Sequence, residues 1–234
     1  MLLKITEEKP RILLFAGCNM VADEIIEYLV CREENIVEIF REEDRFDSDL
    51  IDSYQPDIGI TCYWPRLIPN EIISLFKYGI INFHPSLLPR NRGWYPSVWQ
   101  IIEGVKAGVT LHLIDEKADT GPIVAQREWN IEETVLGFSL YNESQLQMID
   151  LFQQTWPRLL NDGIELKCQD HQLATHHTKK EANDLDEIHL NRDYNAQYLI
   201  NLLRAKTFKD KGYAYYRKNG KKYSIQIKIT EEDK

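Results

Sequence analysis

The chain has 234 residues, 43% hydrophobic and 28% charged, with a formal net charge of −9. That length suits one large α/β domain with at most a small appendage. The acidic balance argues against a nucleic-acid partner, whose phosphates demand clustered Lys and Arg. No apolar run approaches the roughly 20 residues of a membrane helix, and the acidic start Met1 to Glu8 is too short for a signal peptide. A cytoplasmic protein with no membrane partner is expected.

Arg11 to Ala16 is a short apolar run ending at Gly17, a first strand. Val21, Ile25, Ile26 and Leu29 then recur at helical spacing over Met20 to Val30. Asn35 to Phe40 is the second strand, Asp49 to Tyr54 a short helix and Asp57 to Cys62 the third strand. Pro69 opens a helix to Phe76 in the first-turn position that proline favours, and Ile80 to Phe83 is the fourth strand. Strands alternating with helices imply right-handed βαβ units and a doubly wound, Rossmann-like, mostly parallel sheet. Beyond it lie a helix over Pro96 to Gly104, strands over Val109 to Ile114 and Ile123 to Trp129, and a long amphipathic helix from Gly137 to Leu160.

Composition shifts near Gly163, which divides the chain into a main domain of residues 1–163 and a C-terminal extension of residues 164–234. Residues 165–192 are polar and irregular. Tyr194 to Leu203 gives a last helix, and Asn219-Gly220 between Ala214 to Arg217 and Lys222 to Ile229 signals a type I′ hairpin. The appendage is therefore a helix plus a hairpin.

The four cysteines are scattered without C-x-x-C spacing, so neither structural zinc nor a disulfide framework is expected. Cys18 and Cys62 sit in apolar, strand-like runs and are expected as buried, inert thiols. The turn Gly17-Cys18-Asn19-Met20 follows a strand and opens a helix but lacks the glycines of a dinucleotide fingerprint. His171, His176 and His177 lie in the polar segment and are expected on the solvated surface. No metal site is expected.

The most informative stretch is Asn82-Phe83-His84-Pro85-Ser86-Leu87-Leu88-Pro89. On a strand ending near His84, a period of two sends the Asn82 and His84 side chains to one face, at a strand end that opens into a loop, where α/β proteins build their sites. Gly108-Val109-Thr110-Leu111-His112 follows on another strand, where His112 is expected to be hydrogen-bonded and structural. Asp119-Thr120-Gly121-Pro122-Ile123 then adds a carboxylate on a separate turn.

These three motifs, in this order, resemble the formyltransferases that use N10-formyltetrahydrofolate. The resemblance covers residues 58–160 well and both ends more loosely. It implies that an amine attacks the formyl carbon and that negative charge develops on the formyl oxygen. In that reading Asn82 donates to the oxygen, His84 takes the amine proton and Asp119 tunes His84. The family holds the pterin ring of its folate mostly by backbone groups of two loops. Here those loops carry Trp64, Arg66, Leu67 and Ile68, and Asp115, Lys117 and Ala118. The stretch Tyr63 to Ile68 is bulkier than the usual loop. The acceptor is expected to approach from the side of Pro85, Ser86, Asn91 and Gly93, with Arg90 and Arg92 as phosphate partners and Trp94 and Tyr95 as stacking surfaces.

Among acceptors, the first turn is a poor match to the phosphate loop of glycinamide ribonucleotide enzymes. The tail is short for a methionyl-tRNA enzyme, and no N-terminal regulatory domain of a hydrolase precedes the core. Length and tail resemble the sugar-nucleotide N-formyltransferases, which implies a nucleotide-linked amino-deoxy sugar as acceptor and a place in lipopolysaccharide or flagellar glycan synthesis. A formyltransferase for another small amine, an aminoacyl or glycinamide group, is the alternative. A non-catalytic folate- or nucleotide-binding module is the non-enzymatic one. The exposed strand edge of the hairpin needs cover, which points to a homodimer.

Overall fold

The computed structural model describes residues 1–232. Its centre is a six-stranded sheet made of β1 (Ile12–Ala16), β2 (Ile36–Phe40), β3 (Ile58–Cys62), β4 (Ile80–His84), β5 (Ala107–Leu113) and β6 (Ile123–Trp129). The spatial order is β2-β1-β3-β4-β5-β6. The first four strands in that order run parallel, and β5 and β6 each pair antiparallel with their neighbour. The sheet is thus mostly parallel with an antiparallel edge, and α4 (Pro96–Glu103) lies in the connection from β4 to β5.

Burial explains the sequence pattern. Every residue of β1 and β3 is buried, as strands covered on both faces must be. One face packs on α1 (Met20–Cys31) and α5 (Gly137–Asn161) through Ile25, Leu29, Met148, Phe152 and Trp156. The other packs Leu13, Phe15 and Ile80 against Ile51 of α2 (Ser48–Ser53) and Ile72 of α3 (Asn70–Ile73). Ile81 and Phe83 belong to the α1 and α5 side. Strand alternation therefore turns Asn82 and His84 to the opposite face.

Several local expectations change. Pro69 precedes α3 as its N-cap, with ψ at 152°, rather than opening its first turn, and the helix ends at Ile73. Proline's lost N–H costs nothing in either place, so the sequence alone could not fix the register. Cys62 is buried, and burial pushes its thiol far up. Cys18 is exposed, because β1 ends at Ala16 and the turn that follows rises off the sheet, where the Cys18 N–H donates to Glu42 at 2.9 Å.

The extension is less irregular than its composition suggests. Ile164–Glu165 pairs with Leu2–Leu3, and His176–His177 forms a short parallel ladder with Arg92–Gly93. Two helices follow, α6 (Lys179–Asp184) and α7 (Ala196–Ala205). The hairpin of β7 (Tyr215–Lys218) and β8 (Lys221–Ser224) turns at Asn219 and Gly220, whose φ values of 50° and 74° are the left-handed pair a type I′ turn needs. Its second strand stops at Ser224, short of Ile229. Among the described residues no helix is long and apolar enough to cross a membrane, and no group of His, Cys, Asp and Glu could hold a metal ion.

Candidate functional site

Strand register builds the floor of the site. Thr61 of β3, Asn82 of β4 and His112 of β5 are paired residues on three adjacent strands, so their side chains form one row across the sheet. The Thr61 hydroxyl donates to Asn82 Oδ1 at 2.6 Å. Asn82 Nδ2 lies 3.0 Å from His112 Nε2. The other ring nitrogen, Nδ1, faces the Leu113 carbonyl at 2.8 Å. A carbonyl only accepts, so His112 carries its proton on Nδ1 and accepts from the amide at Nε2. The Asn82 amide is fixed with its NH2 group toward the cleft and one N–H to spare.

His84 closes β4 and is buried. Its Nε2 donates to the Asn91 carbonyl at 2.9 Å, and its Nδ1 lies 3.5 Å from Asp119 Oδ1. Burial is the largest influence and pushes the imidazole below its ordinary value, with the His112 ring and Arg92 acting the same way. The Asp119 carboxylate and the Asn91 carbonyl oppose it. The ring is therefore neutral near pH 7, with a bare Nδ1. Burial alone would raise the Asp119 carboxyl, but pairing with His84 as imidazolium and the Gly93 amide favour the anion and hold the group well below the usual range. The Gly93 N–H donates to Asp119 Oδ2 at 2.8 Å. A neutral base thus stands beside a fixed anion and next to an oriented amide donor, which is what attack of an amine on a carbonyl carbon requires.

The turn that carries Asp119 depends on Gly121. A Cβ there would meet the Leu113 carbonyl oxygen at 1.9 Å, which explains the glycine of Asp-x-Gly-Pro-Ile. Asp119 itself takes a left-handed φ of 58°.

A cleft opens beside the row. Trp64, Arg66, Leu67, Ile68, Ile114, Asp115, Glu116, Lys117 and Ala118 line it together with Thr61, Asn82, His112 and Asp119. Every residue expected around the pterin lies here. Its walls mix the apolar Trp64, Leu67, Ile68, Ile114 and Ala118 with the charged Arg66, Asp115, Glu116 and Lys117, its floor is polar, and Leu67 is 79% exposed, a mixture that suits a ring with a polar edge. Arg66 stacks over the Trp64 ring at 4.5 Å and donates to the Asp44 carbonyl, which stiffens one wall.

The residues expected on the acceptor side divide. Trp94 and Tyr95 are exposed. Pro85 follows β4, and its carbonyl accepts from Gln100. Arg90 is exposed but lies by Lys106 in a separate hollow with Leu87 and Val105. Ser86, Asn91 and Arg92 are buried and engaged within the protein. The Ser86 hydroxyl donates to the Arg90 carbonyl. Arg92 donates to Gln169 at 2.7 Å and to His171. Ser86, Asn91, Arg92 and Gly93 are thus the framework of the loop. Residue type alone does not separate an arginine that reaches solvent from one bound to a distant glutamine.

His177 also departs from expectation. Its ring stacks on Trp99 at 3.8 Å and is mostly covered. Gln169 donates to the Asp119 and Gly121 carbonyls at 3.0 and 2.7 Å. Polar composition concealed both contacts, because the extension uses its polar groups on the loops of the main domain.

A family model described as formyl transferase matches residues 15–147, more than half of the chain. The chain belongs to that family. A second model, the N-formyltransferase dimerization C-terminal domain, matches residues 181–231. Methionyl-tRNA formyltransferase of Bacillus licheniformis is 35% identical over 143 residues, which are 60% of this chain and 45% of that relative. The chain thus matches less than half the length of this relative. A sugar N-formyltransferase from a Shewanella species shares the fold at a TM-score of 0.82 and 22% identity, covering 95% of this chain and 99% of its own. The formyltransferase PseJ from Anoxybacillus kamchatkensis, solved in complex with UDP-4,6-dideoxy-4-formamido-L-AltNAc and tetrahydrofolate, aligns at a TM-score of 0.67 and 27% identity over 82% of this chain and 98% of its own.

Proposed function

We propose that this member of the formyl transferase family moves a formyl group from N10-formyltetrahydrofolate to the amine of a nucleotide-linked amino-deoxy sugar. The observation that carries the reading is the joint placement of Asn82 and Asp119 in the cleft with His84 3.5 Å from Asp119. The spare Asn82 N–H stabilises the oxyanion as the amine nitrogen bonds to the formyl carbon. His84 Nδ1 takes the proton that the attacking nitrogen sheds, and the resulting imidazolium lies between the Asn91 carbonyl and the Asp119 carboxylate. When the carbonyl re-forms, the bond to folate N10 breaks and the proton passes to that nitrogen. Trp64, Leu67, Ile68 and Ala118 hold the pterin, with Asp115, Lys117 and Arg66 at the rim.

The sugar-nucleotide acceptor is supported by the full-length likeness to the Shewanella enzyme and by the ligands solved with PseJ. The dimerization model over residues 181–231 supports residues 1–163 as the catalytic unit and the extension as the seat of a homodimer. Identity to the methionyl-tRNA enzyme favours a second reading, an aminoacyl-tRNA acceptor. The net charge of −9 weighs against it.

The deciding experiment is incubation with N10-formyltetrahydrofolate and a panel of UDP- and dTDP-linked amino sugars, with methionyl-tRNA in parallel and product mass as readout. A gain of one formyl group on a sugar nucleotide is expected. Formylation of methionyl-tRNA alone would overturn the sugar reading, and no product on any acceptor would overturn the transfer itself.

A further inference from the structure

The carbonyl that fixes the His84 proton also accepts from the Ser86 hydroxyl at 3.4 Å, but the N–H and side chain of its residue, Asn91, are held by the extension. Asn91 is buried with a left-handed φ of 58°. Its N–H donates to the Thr175 hydroxyl at 2.8 Å, and that hydroxyl donates back to Asn91 Oδ1 at 3.2 Å. His177 Nε2 lies 3.1 Å from the same Oδ1 and 3.1 Å from Glu103, while its ring rests on Trp99. Backbone bonds complete the clamp. Arg92 N–H donates to the Thr175 carbonyl and Trp94 N–H to the His177 carbonyl, at 3.0 and 2.9 Å. The Thr175 and His177 side chains bond Asn91 and Glu103 and not Asn82, His84 or Asp119, and both residues lie outside residues 15–147 and 181–231.

We infer that Thr175 and His177 are positioning residues that set the tautomer of His84 through Asn91. A neutral imidazole in this site has two choices. A proton on Nε2 bonds the Asn91 carbonyl at 2.9 Å and leaves Nδ1 bare as the base. A proton on Nδ1 instead points at Asp119 Oδ1, 3.5 Å away, and gains a charge-assisted bond if the ring moves slightly. The second form cannot accept a proton at Nδ1. Only a firmly held Asn91 carbonyl keeps the first form in place, and asparagine tolerates the left-handed region without being fixed in it by its own backbone. The clamp from the extension does. This inference rests on the proposed base role of His84.

The test reads the tautomer in the resting protein, with no acceptor added. Nitrogen-15 spectra of histidine-labelled protein distinguish a protonated Nε2 from a protonated Nδ1. Wild type and Thr175→Ser, which keeps the hydroxyl, are expected to show Nε2–H at His84. Thr175→Val, with the same shape and no hydroxyl, and His177→Phe, which keeps the stack on Trp99, are expected to shift at least about half of His84 to the Nδ1–H form. Retention of the wild-type tautomer in both variants would overturn the inference. So would loss of folded protein in both, since that marks a structural role only. Because no turnover is measured, the result stands whichever acceptor the enzyme uses, and an absence of formyl transfer would leave the tautomer outcome readable.

Discussion

The side-chain amide of Asn82 is held by His112, whose Nε2 accepts from it at 3.0 Å while Nδ1 is committed to the Leu113 carbonyl. An amide is two-fold ambiguous in shape, and only its partners decide which end faces a substrate. Thr61 at one end and His112 at the other make that choice.

Loss of either Asn82 or its guide should therefore be felt in turnover. Asn82→Ala removes the oxyanion donor and should lower kcat by about two to three orders of magnitude. His112→Phe keeps the ring in the core but removes the acceptor, which frees the amide to rotate. A drop of roughly tenfold or more is expected, with folate affinity little changed. Steady-state kinetics of both variants is the check, and near wild-type kcat in Asn82→Ala would remove the amide from the mechanism.

The pH dependence follows from His84. The base must be neutral to accept a proton, so activity is present above the His84 pKa and lost as pH falls through it. Burial moves that value below the ordinary imidazole range, and Asp119 moves it back up. Arg92 and the His112 ring act with burial, and the Asn91 carbonyl acts with Asp119. Asp119→Asn should thus shift the acid limb of kcat further toward low pH and lower the plateau. Asp115→Asn should be milder, because the Asp115 carboxylate faces Thr120 at 2.5 Å and the Lys117 N–H. Profiles of kcat against pH for the two variants decide the point. An unmoved limb in Asp119→Asn would mean that the carboxylate does not tune the ring.

Gly121→Ala should damage the site without touching it. The added methyl would enter the space of the Leu113 carbonyl oxygen, the same oxygen that accepts from His112. The turn must move, and Asp119 with it. Stability should fall by about 1–3 kcal/mol, as for overpacking elsewhere, and kcat should fall by tenfold or more. Denaturant unfolding beside turnover measures both, and a variant unchanged in both would show that the turn has room.

The main sheet was legible in the sequence because its signal is periodic. Ile12 to Ala16 and Ile58 to Cys62 are continuous apolar runs that only a doubly covered strand explains. Asn82, His84 and Asp119 were legible as motif residues, and strand alternation gave the common direction of Asn82 and His84, whereas Asp119 sits on a turn. The helper residues were not. Gln169, Thr175 and His177 are polar residues in a polar segment, and nothing in their spacing announces that they bond to Asp119, Asn91 and Trp94. Arg92 illustrates the converse, a charged residue in an exposed-looking loop that is buried against one of those same residues. Contacts between segments 50 to 84 residues apart carry no local pattern.

The extension should also mediate self-association. Its hairpin presents β8 with every residue exposed; Asp186 and Ile188 bond Tyr215 on the outer side of β7, so the open edge is that of β8, and a two-stranded ribbon alone is marginally stable. Tyr216 and Tyr223 stack across it at 5.1 Å, Tyr213 and Tyr223 are 52% and 42% exposed, and Lys222 covers the Tyr215 ring at 3.8 Å. The match of residues 181–231 to a dimerization domain agrees with an interface there. Light scattering at micromolar concentration should give twice the chain mass. Tyr223→Glu places a carboxylate in that aromatic surface, where burial without a partner is costly, and should raise the dimer dissociation constant at least tenfold. The site row of Thr61, Asn82 and His112 lies in the sheet, so N10-formyltetrahydrofolate should still bind the variant. A wild-type chain that stays monomeric at that concentration would refute the dimer, and a Tyr223→Glu variant that dimerises as tightly would move the interface off the hairpin.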